Sequence, residues 1–369
     1  MNVLVFASLT PPATANYLIS ALRDLGHDLF VCSDVDSPLA NLQMRGAIDA
    51  AQLCASQGLV PDLLLFVEGG TMRIFPVGLE HIPCLTAWYG IDTHMDYVKH
   101  LRVGRLFDIT FIAHKEYVER LREDGLTQVH WLPVAFAPEL HPTQHLERHL
   151  DIAYVGSSSA SVNPVRHALL VALKREFPLH YFGLATPAEM GKVYASAKLV
   201  FNRSVNNDVN MRFFEATGAG AVLVSNPIIG NGVDELLCEG EHYFVYRDEA
   251  ALLVLIRELL QDPERCRLVG EAARLHVLNH HTYSHRAGNL VGVARQARKG
   301  ARPSAVDYFP ALLSMVLLGA ALRSVGRALS FTSGGKVTRI MGKVSGAIVL
   351  ALAAGLSLFE RFLDAVRRA

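Results

Sequence analysis

Asp151-Ile152-Ala153-Tyr154-Val155-Gly156 is a short apolar run closed by a glycine, and it restarts a pattern that already opens the chain. There, Val3–Phe6 is continuously apolar, a helical stretch runs to Leu25-Gly26-His27, and Asp28-Leu29-Phe30-Val31 is apolar again. Continuous rather than alternating apolar runs mark parallel strands buried on both faces, and a helix between two of them makes a βαβ unit. Pro61–Val67, Ile82–Ala87 and Asp108–Ile112 read as further strands of the same series. Three prolines between Pro133 and Pro142 then mark a linker. Beyond it the run at Asp151 begins a second series, with strands at Leu179–Phe182, Leu199–Asn202 and Ala221–Ser225 and helices around Val165–Arg175, Pro187–Ala197, from Asn210, and up to Arg295. The expected fold class is α/β: two Rossmann-like, doubly wound domains (1–145 and 146–297) facing a cleft at the carboxyl ends of their strands, plus a helical tail (298–369).

The chain has 369 residues, 51% of them hydrophobic and 19% charged, which permits a sizeable core and excludes global disorder. Its overall charge is zero, but eleven basic residues against three acidic ones from Arg298 onward give the tail +8 and leave −8 on the rest. The five cysteines (Cys32, Cys54, Cys84, Cys238, Cys266) form no CxxC pair, which fits reduced thiols in a cytoplasmic protein. Met1–Phe6 lacks a basic leader and reads as a first strand, so no signal peptide is expected.

The chemistry concentrates in Asn202-Arg203-Ser204-Val205-Asn206-Asn207-Asp208-Val209-Asn210-Met211-Arg212-Phe213-Phe214-Glu215. A strand ends, a polar loop follows, and a helix opens near Asn207–Asn210. Such a helix start presents unpaired N–H groups and a positive dipole end, a seat for a diphosphate. Arg203 and Arg212 can add charge-assisted contacts to that anion, and the Glu215 carboxylate can accept both hydroxyls of a ribose. Spacing by itself favours a plainer alternative, in which Asn207 or Asp208 caps a helix and Glu215 is solvated.

The run Asn210–Ala216, with Gly218-Ala219-Gly220-Ala221 after it, resembles the C-terminal signature of CgeB-like glycosyltransferases, relatives of the retaining glycosyltransferase family 4. Upstream, Asp151–Gly156, Tyr181-Phe182-Gly183, Tyr194–Lys198 and Asn202 match in order; downstream, Glu235-Leu236, Tyr246-Arg247-Asp248, Asp262-Pro263 and His281-Thr282-Tyr283 with Arg286 do the same. The likeness covers residues 1–295. It implies a GT-B architecture and a hexosyltransferase-type enzyme that uses a nucleotide-sugar with retention. It also implies that Glu215 holds the donor ribose, with the loop before it on the diphosphate. Family 4 members often carry a second Glu eight positions earlier, near the transferred sugar; here that position is Asn207. Asp208 one residue later, or Asn207 as an uncharged hydrogen-bonding group, are both candidates for its place. The departure also motivates a rival reading, a non-catalytic nucleotide-sugar-binding or scaffold protein.

Asp92 and His94, ahead of Glu68, follow strand ends in the first domain, where they can orient acceptor or donor sugar or simply occupy a surface loop. His114 precedes a helix and fits a cap or a solvated position. Gly156, with Ser157-Ser158-Ser159 after it, suits close backbone approach beside the cleft but lacks the lysine of a P-loop. Asp34-Val35-Asp36 follows a second strand and is not expected to hold metal, and His276, His280, His281 and His285 straddle a helix break without supporting ligands. No cofactor or metal is expected, and no nucleic-acid partner, because basic residues do not lie among exposed aromatics.

In the tail, Tyr308–Leu322 and Val344–Phe359 are uncharged and mainly apolar, each shorter than the ~20 residues that usually span a bilayer. Arg323, Arg327, Lys336, Arg339 and Lys343 lie between them. The expectation is a protein peripheral on the inner face of the cell membrane, its tail on anionic lipid and its acceptor a cell-envelope or lipid-linked glycan. A buried helical hairpin is the alternative for the tail.

Overall fold

The computed structural model describes residues 1–69, 72–140 and 146–300. The strands are β1 (Asn2–Ala7), β2 (Asp28–Ser33), β3 (Leu42–Gln43), β4 (Gly46–Asp49), β5 (Leu63–Val67), β6 (Ile74–Val77), β7 (Leu85–Gly90), β8 (Ile109–Ile112), β9 (Val129–Trp131), β10 (Leu150–Val155), β11 (His180–Gly183), β12 (Ala197–Phe201), β13 (Val222–Ser225) and β14 (Tyr243–Val245). Two parallel sheets result, ordered β3-β2-β1-β5-β7-β8-β9 and β11-β10-β12-β13-β14, with β4 and β6 forming a small parallel pair apart. In each large sheet the chain travels first to one side and then to the other. The switch points fall between β1 and β5 and between β10 and β12, where open α/β sheets leave a crevice for ligand.

The helices are α1 (Thr14–Asp24), α2 (Ala50–Gln57), α3 (Tyr97–Gly104), α4 (Val118–Glu123), α5 (Pro164–Glu176), α6 (Pro187–Ala195), α7 (Met211–Gly218), α8 (Val233–Leu236), α9 (Glu249–Gln261), α10 (Pro263–His280) and α11 (Tyr283–Gln296). They cover both faces of the sheets, which explains the unbroken apolar runs. In β1, Val3, Val5 and Ala7 enter one core while Leu4 and Phe6 enter another, and β5 divides its residues the same way. The strand expected to end near Trp88 instead runs through it to Gly90, with Trp88 fully buried. His276, His280, His281 and His285 fall at a helix junction: α10 ends at His280, and Thr282 with His285 forms the capping box of α11.

The first core cluster spans both domains, from Val3 and Phe136 to Phe213 and Tyr283. The two chain crossings are joined there. Phe136 N–H donates to His281 O (2.8 Å), Tyr283 N–H donates to Phe136 O (3.0 Å), and Arg286 Nε donates to Pro133 O (2.8 Å). Helix α11 packs on α1, with Tyr17 and Tyr283 ring centroids 5.3 Å apart. After α11 the chain reaches the base of the first sheet, where Gly300 N–H donates to Asp108 (2.8 Å). No helix among the described residues is long and apolar enough to cross a membrane. The expected tail helices at 301–369 lie outside the described residues.

Candidate active site

A cleft of about 1260 Å³ lies between the domains, walled by segments that leave the carboxyl ends of the strands. The first domain supplies Ser8–Thr14 after β1, Glu68 and Gly69 after β5, Ile91 and Asp92 after β7, and Ala113 and His114 after β8. The second supplies Gly156 after β10, Leu184–Met190 after β11, and Arg203 to Glu215 after β12. Single small-molecule sites usually take ~300–1,000 Å³, so this one has room for two ligands side by side.

Helix α7 opens at Met211, at the C-terminal end of the Asn207–Asn210 stretch where the sequence places its start. Asn210 is its N-cap, with the side-chain oxygen accepting from Arg212 N–H (3.2 Å). Asn210, Met211 and Arg212 line the cleft, so the dipole's positive end faces it. The Arg212 guanidinium is held rigidly, donating to Tyr194 Oη (3.1 Å), Asn202 Oδ1 (2.7 Å) and Val155 O (2.7 Å), and stacking over the Tyr154 ring. Gly156 has φ +148°, and a Cβ there would stand 2.7 Å from the Tyr154 hydroxyl and 3.2 Å from Arg212 Nη2, so the loop over this arginine admits only glycine. Glu215 faces the cleft one turn after Arg212. Burial pushes its carboxyl up to about 7, against the opposing pull of Arg212.

Asp208 and Asn207, neighbours in sequence, have separate fates. Asn206 and Asn207 both adopt left-handed backbone (φ 51° and 61°). The Asn207 side chain is consumed in holding that turn: Nδ2 donates to Glu116 Oε2 (2.8 Å) and Ile229 O (2.6 Å), and Oδ1 accepts from Ile229 N–H (2.8 Å). Asp208 instead lines the cleft, its carboxyl pushed up to about 7 by burial and by the charge of Asp92 opposite. Asp92 is raised for the same reasons, burial first and then Glu68. Arg203 lines the cleft while donating to Ser204 O (3.0 Å). Of the nine candidates from sequence, the cleft therefore brings together Gly156, Arg203, Asn210, Arg212, Glu215, Asp208 and Asp92. Asn207 and His94 are not in its wall.

His94 stands behind Asp208 and His114, its Nδ1 2.9 Å from His114 Nε2, which is itself 3.6 Å from Asp208 Oδ1. Two imidazoles and a carboxylate at such distances form the one metal-competent group among the described residues. The hydrogen bonds around it favour another arrangement. Asn231 Oδ1 accepts from Glu116 N–H (3.3 Å), and its Nδ2 donates to Asn207 O (2.8 Å) and to His114 Nδ1 (3.1 Å). With the Asn231 amide oriented this way, the His114 proton is assigned to Nε2. A cation here would require both the Asn231 amide and the His114 tautomer to turn over. Burial holds His114 down at about 3, so the ring is a neutral donor. Asp34 and Asp36 do not line the cleft.

Three contributors were not picked out from sequence. Arg166, in the first turn of α5, lines the cleft with its Nε buried and unpartnered among the described residues. Its legible signal was position, the first helical turn after the Gly156 loop, where doubly wound folds bind phosphate. His114, read from sequence as a cap or a solvated position, is buried at the cleft, and the wall Leu184–Met190 with Tyr194 reaches it through tertiary placement.

Two Rossmann-like domains closed over a nucleotide-sized cleft define the GT-B fold. Residues 144–292, in the second domain, match a family model described as glycosyl transferase-like. Solved structures with the same fold include sucrose-phosphate synthase from Thermosynechococcus elongatus (14% identity, TM-score 0.57, 80% of this chain and 99% of that one). Anabaena HepE, solved with UDP and glucose, is another (12%, 0.61, 80% and 99%). A UDP-N-acetylglucosamine 2-epimerase described as putative, from Listeria monocytogenes, shares the fold as well (12%, 0.53, 80% and 96%). No curated protein sequence is significantly similar to the chain. At these identities the structural likeness shows the fold, and function rests on the site.

Proposed function

We propose that the chain is a hexosyltransferase-type glycosyltransferase that takes its sugar from a nucleotide-sugar, UDP-linked by the precedent of HepE, and transfers it with retention. The observation that carries this reading is the pairing of Glu215 with an anion seat on one short helix: a carboxylate facing the cleft, one turn beyond the locked Arg212 and the capped start of α7. The nucleoside lies along Leu184–Met190 and Tyr194, with its ribose hydroxyls on Glu215. The diphosphate sits at the start of α7, between Arg166, Arg203 and Arg212. The sugar then points toward Asp208 and Asp92, whose carboxyls accept from or donate to its hydroxyls and those of the acceptor. In a retaining transfer the leaving phosphate takes the acceptor proton, so the site needs no strong protein base, and the arginines and helix start stabilise the charge that develops on it. The proposal includes no metal or cofactor.

The acceptor in this reading is a cell-envelope or lipid-linked glycan, reached by a protein held on the cytoplasmic face of the membrane through its basic, apolar tail. The rival, a nucleotide-sugar-binding protein without catalysis, draws on the engagement of Asn207 in its own turn. Incubation with a panel of nucleotide-sugars, following release of nucleoside diphosphate, separates the two. Slow hydrolysis of one donor supports the enzyme; tight binding with no release favours the rival.

A further inference from the structure

Glu68 ends β5 at the cleft wall, yet it is almost wholly buried and its carboxylate makes four contacts within the protein. Oε2 accepts from the backbone N–H groups of Ile91 (2.7 Å) and Asp92 (2.9 Å). It also lies 2.8 Å from His100 Nε2, while Oε1 accepts from Lys99 Nζ (2.8 Å). Lys99 and His100 are themselves buried, side by side in α3. The other nitrogen of His100, Nδ1, lies 2.8 Å from Asp96 O, so each ring nitrogen faces an acceptor oxygen. Burial works to raise the Glu68 carboxyl, and the charges and hydrogen bonds of His100 and Lys99 overcome it, holding the group well below the ordinary carboxylate range.

Buried ionic clusters are poor sources of stability, since desolvation offsets most of their attraction. A well-packed apolar trio would hold α3 to β5 at least as well. What this cluster provides and an apolar one lacks is an ionised acceptor fixed in direction, and it is spent on the backbone of Asp92. Gly90 just ahead leaves no slack: a Cβ there would stand 2.8 Å from the Trp88 ring and 2.9 Å from His100.

We propose that Glu68 is the positioning residue for Asp92. Lys99 and His100 lock its carboxylate, which grips the amides of Ile91 and Asp92 and sets the Asp92 carboxyl in the cleft wall facing Asp208. The catalytic consequence rests on the glycosyltransferase reading; the positioning itself does not.

The test uses the full chain and two variants, Glu68→Gln and Glu68→Gln/Lys99→Met, the second avoiding an unpaired buried cation if the first folds poorly. Amide exchange in the ligand-free protein reads the positioning. Ile91 and Asp92 should lose protection by about tenfold or more while the amides of β1 and β8 keep theirs, as expected when the charged acceptor shared by these two amides is replaced by a neutral, unlocked one and the global fold persists. UDP-glucose hydrolysis reads the consequence. Glu68→Gln should lower kcat with KM little changed, and should cause no further loss in an Asp92→Ala background, the non-additivity of two residues acting as one. Unchanged protection at Ile91 and Asp92 would overturn the proposal, as would an equal loss of kcat with and without Asp92. If the wild-type chain neither binds nor hydrolyses UDP-glucose, the functional reading of the cleft fails, and the exchange result alone decides whether Glu68 positions Asp92.

Discussion

Replacing Glu215 with Gln should make the free protein more stable and its nucleotide complex weaker. The carboxyl is raised from 4.5 to about 7 by burial in the cleft wall. A folded-state pKa above the unfolded one means that the folded chain binds the extra proton between about 4.5 and 7. Stability from this group is full below that window and lost as pH rises through it. By linkage the wild type at pH 8 carries a penalty of up to ~3 kcal/mol, which Glu215→Gln removes. Thermal unfolding at pH 8 should therefore shift upward by several degrees in the variant, and the two proteins should converge near pH 4. Binding moves the other way, because only the ionised carboxylate accepts both ribose hydroxyls. Wild-type affinity for UDP-glucose should be ~10-fold weaker at pH 6 than at pH 8, and the variant should be weaker by ~1.5–3 kcal/mol at pH 8 with that pH dependence removed. Calorimetry at the two pH values reads both. A variant no more stable than wild type at pH 8, or one that keeps the wild-type pH dependence of binding, would refute the reasoning.

Arg166→Gln should weaken UDP far more than uridine, since its guanidinium, with Nε free of hydrogen bonds, lines the cleft beside the proposed diphosphate seat. Asn207→Ala should unfold the protein several degrees earlier by releasing the left-handed turn from Ile229 and Glu116, and activity should fall with stability rather than independently of it. Chelation with EDTA should leave UDP-glucose turnover unchanged, because the hydrogen bonds at His114 present a proton and not a lone pair to the His94–Asp208 space. Removing residues after Lys299 should release the protein from anionic liposomes while donor hydrolysis persists, as every described residue of the cleft wall precedes it.

The strands buried on both faces were legible because two-sided burial writes itself as an unbroken apolar run: β1, β5, β8 and β10 fall within a residue or two of where the sequence puts them. Strands β3, β4, β6, β9 and β14 were not legible. They are two to four residues long, β4 is largely exposed and β6 contains Pro76, so neither length nor periodicity announces them. At the site, the residues on one continuous segment, Arg203 to Glu215, could be read together. The separation of Asp208 from Asn207 could not, because it depends on two left-handed asparagines braced by Ile229 and by Glu116 from the other domain. Arg166 and His114 join the cleft only through the strand order that sets β10 beside β12 and β8 beside β7.

The central claim, that the cleft is a nucleotide-sugar site organised by α7, is tested most directly by a crystal structure of the protein with UDP. The account predicts the ribose hydroxyls on the Glu215 carboxylate, the diphosphate at the start of α7 among Arg166, Arg203 and Arg212, and the uracil along Leu184–Met190. UDP bound instead in the smaller cavity between α5 and α9, or in the cleft with its ribose away from Glu215, would contradict it.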